Sequence, residues 1–217
     1  MKFIYSLVAI LALTFAGFSQ KGVYVKYETK IDASGEEGEM MAMMMNGSTM
    51  EVASNSEKTY VKTQMGTMMT MEMEMDIESN EMTMFMSGMM GNMAFQGNPD
   101  NMTDEDEENT PEIELVDETK EILGETCKKA IMKDDEGNTG VYWYLEDFNR
   151  PEGMSQMPND IPGLCLQFEV AMEGMTMKYT AIEFDDKVKM VNYAVEIPEG
   201  VEVGSLEDMK MMGMGGM

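Results

Sequence analysis

Two stretches of the chain place methionine at every second position: Met71-Glu-Met-Glu-Met75 and Met82-Thr-Met-Phe-Met86. Successive side chains of an extended strand point to opposite faces, so each run sets three thioethers on one side. A helix would scatter the same residues around its circumference, which confines this part of the chain to β structure. The segment between the runs, Asp-Ile-Glu-Ser-Asn-Glu, is even in length. A regular hairpin turning at Glu78 and Ser79 then puts Met75 opposite Met82, Met73 opposite Met84, and Met71 opposite Met86. The other face carries Glu72, Glu74, Asp76, Glu81 and Thr83, with Phe85 as its apolar exception. One bulged residue would undo this pairing, because a slip of one position exchanges the two faces.

Strand signals continue along the chain. Residues 22–31 alternate Val23, Val25, Tyr27, Thr29 and Ile31 with polar or aromatic neighbours and stop at Asp-Ala-Ser-Gly. Further strands are expected over 49–53, 59–64, 68–77, 81–86, 112–117, 126–133, 141–145, 164–171, 175–185 and 187–197, with turns at 134–138 and at Asp185-Asp186. Helix signals are confined to 205–212 and 145–149. Many short strands with turn residues between them predict an all-β fold with minor helix, built on an antiparallel sheet.

The two runs belong to a wider excess: 32 of 217 residues are methionine, and 18 of them lie between Met40 and Met93. A thioether is a flexible apolar filler and also a soft metal donor. Three meanings follow for Met71, Met73, Met75, Met82, Met84 and Met86. They are the core face of an ordinary half-buried sheet, written in Met instead of Leu. Alternatively they line an adaptable surface for an apolar ligand, a lipid or a lipid-modified partner. In the third, alternative reading they hold copper(I) or silver(I); otherwise no cofactor is expected.

Histidine is absent, which removes the commonest general base and the commonest transition-metal ligand together. No nucleophile elbow, phosphate-binding glycine loop or Cys-x-x-Cys is present, so a non-enzymatic role is expected. A formal net charge of -26 disfavours nucleic acid and anionic membranes as partners. Lys2 followed by the apolar stretch 7–16 and the small residues Gly17 and Ser19 reads as a secretory signal over 1–19, implying a periplasmic or secreted product. No later stretch approaches the roughly 20 apolar residues of a membrane-spanning helix.

A single β domain is expected over 20–200. Within it, 97–111 is a polar acidic loop centred on Asp104-Glu-Asp-Glu-Glu108, expected to be mobile and lacking the ligand spacing of an EF-hand. The Met/Gly-rich tail 201–217 is expected to be disordered, and the cluster Met40–Met45 to be mobile. Cys127 and Cys165 form an even pair in an exported chain, for which a disulfide is the default. Against it, a simple meander puts strand 141–145 between them, a separation of about 9 to 10 Å. Two buried thiols are the alternative.

The segment Gly124-Glu-Thr-Cys127-Lys-Lys-Ala130, the aromatic strand Val141-Tyr-Trp-Tyr-Leu145, the Ile161-Pro-Gly-Leu164 element and the closing Val195-Glu-Ile-Pro-Glu-Gly200 resemble an exported bacterial family. It is domain of unknown function 4412, whose members also carry Met-rich strands and tails. The Ile161-Pro-Gly-Leu164 element is similar to the signature of the related GLPGLI family, with Cys165 in place of its isoleucine. The resemblance spans most of 21–200. It implies a curved antiparallel sheet or half-barrel, LolA/LolB-like, of the Bacteroidota envelope, and it implies no established activity.

Overall fold

A computed structural model describes residues 21–33, 35–45, 47–89, 91–101, 111–133, 139–151, 153–154, 160–172 and 175–212. The expected signal segment, the centre of the acidic loop, the 134–138 turn and the last five residues lie outside the described residues.

The strands are β1 (Lys21–Ala33), β2 (Thr49–Ser54), β3 (Lys58–Met65), β4 (Met69–Asp76), β5 (Glu81–Gly88), β6 (Gly91–Gly97), β7 (Glu112–Ile122), β8 (Glu125–Lys133), β9 (Thr139–Leu145), β10 (Leu164–Met172), β11 (Met175–Lys189) and β12 (Val203–Ser205). Helices α1 (Gly35–Met44) and α2 (Leu206–Met211) complete the fold. All twelve strands join one open, curved sheet in the order β12-β6-β5-β4-β3-β2-β1-β11-β10-β9-β8-β7. The expected all-β class is therefore the observed one. Strand β1 is the seam between two meanders, pairing with β2 on one side and β11 on the other. The acidic segment thus links β6 and β7, which stand toward opposite ends of the sheet.

The main core gathers Val23, Val25 and Tyr27 with Leu164, Cys165, Leu166, Phe168 and the loop residues Met154 and Ile161. Tyr27 satisfies its buried hydroxyl by donating to the Cys165 carbonyl at 2.8 Å. That bond matters because a phenol buried without a partner costs about 1 to 3 kcal/mol. Gly163 has φ +75°, and a Cβ there would stand 1.7 Å from the Leu145 carbonyl oxygen, so the Ile-Pro-Gly-Leu turn requires glycine to enter β10.

Five expectations change. The cluster Met40–Met45, expected to be mobile, is helical as far as Met44, in α1. The tail is folded as far as Met212: β12 pairs parallel with β6, and α2 follows with a complete capping box between Ser205 and Asp208. Asp185-Asp186 is not a hairpin turn, because β11 runs through it to Lys189. A bulge opposite Gly22–Tyr24, with the Lys187 N–H donating to Asp185 Oδ1 at 2.8 Å, absorbs the turn residues instead. Finally, 193–198 belongs to no strand, and 145–149 holds a turn, not a helix. Sequence periodicity also missed β6, whose seven residues include two glycines and two amides.

After β11 the chain makes a belt around the methionine half. Tyr193 stacks on Tyr24 with centroids 5.4 Å apart, and the Val195 N–H donates to Glu74 Oε2 at 2.9 Å. Glu74 belongs to the face opposite Met73, so the belt crosses behind the sheet. It then reaches the β6 edge as β12, and α2 packs Leu206 and Met209 onto the methionine face with Met84, Met86 and Phe95. The belt leaves only a three-residue strand at that edge, a form that resists pairing with other chains.

A methionine face and its open end

The hairpin register is the expected one: Met71 opposes Met86, Met73 opposes Met84, and Met75 opposes Met82. The row extends into β6, where Met86 meets Met93 and Met84 meets Phe95. Glu72, Glu74 and Asp76 take the other face, and two of them are ion-paired across the neighbouring strand, Lys62 to Glu72 at 2.8 Å and Lys58 to Glu74 at 3.2 Å. Asp76 caps the hairpin turn by accepting from the Ser79 N–H and hydroxyl, both at 2.8 Å, which holds its carboxyl below the usual range.

The face is not uniformly open. Met86 is 1% exposed and Met84 is 7% exposed, beneath α2, whereas Met71, Met73, Met75 and Met82 are half-buried. The six predicted residues are brought together as paired neighbours, and the centre of their face is covered.

The opening lies at the end of the hairpin away from its turn. There the β3–β4 turn, the β5–β6 turn and the end of α1 enclose a cleft of about 380 Å³. Its wall is Met44, Met65, Met68, Met69, Met86, Met89 and Met93, joined by Ser87, Gly88 and Gly91. Of the six predicted residues, Met86 alone reaches it.

Close backbone packing builds the cleft. The Met89 N–H donates to the Met68 carbonyl at 3.1 Å, tying the two turns together. Gly66, at φ +53°, lies so near α1 that a Cβ would stand 2.2 Å from the Met44 carbonyl oxygen. Buried Ser48 fastens the same junction: its hydroxyl donates to the Met45 carbonyl at 2.5 Å and accepts from the Gly66 N–H at 3.0 Å. Met44 is thereby held against the cleft by specific bonds rather than by the propensity of α1.

Alternation could not reveal these residues, because Met65, Met68 and Met89 flank or occupy turns. The available signal was apolar side chains in turn positions, Met65-Gly-Thr-Met-Met69 and Met86-Ser-Gly-Met89, where no core demands them.

The cysteines sit in the other half of the sheet. Both are buried thiols on β8 and β10, with β9 between them, so the default disulfide is not formed. Burial pushes the Cys127 thiol up to about 11, with Glu125 adding to the rise, and Cys165 up to about 12 despite nearby Arg150. Neutral thiols of this kind are poor nucleophiles and poor metal ligands at neutral pH.

No protein-family model and no curated protein matches the chain. Among solved structures it is similar to PNGF-II in the C2 crystal form, at 19% identity and a TM-score of 0.47, over 89% of this chain and 32% of that one. PNGF-II in the P21 form gives 17% identity and the same TM-score, over 90% and 34%. The chain spans about a third of the PNGF-II chains.

Proposed function

We propose that this is an exported, non-enzymatic binding protein whose methionine-lined cleft takes the apolar chain of a lipid or of a lipid-modified partner. One observation carries the reading: a concave opening walled by seven thioether side chains, with Ser87 as the sole polar side chain among its lining residues. Small-ligand clefts run from about 300 to 1,000 Å³, so this one has room for a length of alkyl chain and not for a whole lipid. Unbranched methionines repack around chains of different shape, which suits a carrier more than a selective receptor. Export rests on the 1–19 segment, and the analogy with LolA/LolB-like carriers is one of architecture alone.

The test is displacement of a fluorescent naphthylamine probe by long-chain fatty acids. The native chain is expected to bind the probe and release it to the fatty acid. Met93→Glu places a carboxylate in the wall and should weaken probe binding at least 10-fold, since a charge left in an apolar site is strongly disfavoured. A native chain that takes up neither probe nor fatty acid overturns the proposal.

A further inference from the structure

The inner wall of the cleft also carries a donor set of its own. Met86 pairs with Met71 on one side and with Met93 on the other, so three thioethers stand in one row across β4, β5 and β6. Met69 lies two positions from Met71 on the same face of β4, and Met69, Met86 and Met93 all line the cleft. Met86 and Met93 are directly opposed, with Cβ atoms about 4.5 to 5.5 Å apart, while Met69, whose own partner is Gly88, stands diagonal to Met86 at about 7 to 8 Å, a span that three rotatable bonds per side chain allow the sulfurs to close.

We propose that Met69, Met86 and Met93 form a three-thioether site for copper(I), with Met89 as an outer arm. Met89 is 85% exposed, so it can meet an ion in solvent and hand it inward. Thioethers are soft donors, and the lining residues include no carboxylate, imidazole or thiolate, which leaves zinc, calcium and magnesium without the ligands they need. Three neutral sulfurs leave the ion's positive charge uncompensated in the wall. The chain's net charge of -26 offsets this by favouring cations near its surface. The site shares the cleft of the proposed function and not its chemistry, so either can fail alone.

Silver(I), a redox-inert analogue of copper(I), is titrated into the full chain labelled at the methionine methyl carbons. The expected result is one tight equivalent that shifts the Met69, Met86 and Met93 methyl resonances first. The triple variant M69L/M86L/M93L, checked for native melting, should lose at least 100-fold in anaerobic competition with a copper(I) chelator. Unchanged metal affinity in that variant overturns the site. So does a titration in which Met43 or Met211, exposed outside the cleft, shifts as early as Met86. The labelled native chain decides the matter even if the variant fails to fold.

Discussion

One row of side chains crosses six strands of the same sheet face, and its chemistry changes halfway. Val25, Val52 and Val61 oppose one another on β1, β2 and β3, and the row continues as Met73, Met84 and Phe95 on β4, β5 and β6. Hydrogen-bond register is unbroken across the change, so the backbone does not distinguish the halves. Valine is stiff at χ1 and specifies one packing, whereas methionine fills whatever space is left. The covers differ as well. The valine side belongs to a core shared with β7 to β11 and two loop residues, while the methionine side is roofed by one short helix. Stability and adaptability are thus assigned to different ends of one sheet.

The sharpest way to break that division is to remove volume from each half. Leu164 and Leu166 are fully buried in the first core, and Leu164→Ala or Leu166→Ala should cost about 3 to 5 kcal/mol in urea unfolding. Met84→Ala should cost about 2 kcal/mol, at the low end for such truncations, because flexible neighbours collapse into the space. Equal losses would mean that the methionine half is packed as tightly as the other.

The cleft is expected to be the next most sensitive feature. Ser48→Ala strands the Met45 carbonyl and the Gly66 N–H at a buried junction, for a loss of about 1 to 3 kcal/mol. Probe binding should weaken in parallel, since Met44 is no longer fixed against the opening. Loss of stability with unaltered binding would remove α1 from the cleft wall.

The roof is a smaller matter. Ser205→Ala deletes the cap of α2, which typically costs about 1 kcal/mol, and should raise hydrogen exchange at 206–211 ahead of the rest of the sheet. Asp208 accepts from the Ser205 N–H at 3.0 Å and hydroxyl at 2.8 Å, and these bonds hold its carboxyl below the usual range. A group whose folded pKa is depressed stabilises above its unfolded pKa and loses that contribution as pH falls through the folded value. Asp76 at the hairpin turn behaves alike. Acid should therefore loosen both ends of the methionine half, seen as exchange at 76–81 and 206–211 rising below the ordinary carboxylate range while β8 to β10 stay protected.

Much of this division was legible in the chain. Period-two methionines gave the hairpin pairing residue by residue, because an even connector leaves few other registers. What stayed hidden depends on contacts distant in sequence. The cleft needs Met44 brought to Met68 by Ser48, and the belt needs Val195 bonded to Glu74 across 121 positions. Neither leaves a periodic trace. Composition was misleading for the tail, where a capping serine and two apolar contacts outweigh the Met/Gly bias.

The smallest expected effect is also the most discriminating. Replacing Met71, Met73, Met75, Met82, Met84 and Met86 together by leucine keeps the face apolar and nearly the same in volume, and cores tolerate simultaneous apolar swaps when total volume and patterning are kept. If the face is filler, thermal unfolding should shift little and stay as cooperative as in the native chain. Leucine's branched end has fewer rotamers to sample, so methyl order parameters on β4 and β5 should rise toward those of Val52 and Val61. Fatty-acid selectivity should then narrow, because a stiffer floor beneath Met86 adapts to fewer chain shapes. A variant that is equally stable, stiffer and more selective would show that methionine is placed in this half of the sheet for its looseness; one that unfolds would show that sulfur-specific packing holds the hairpin together.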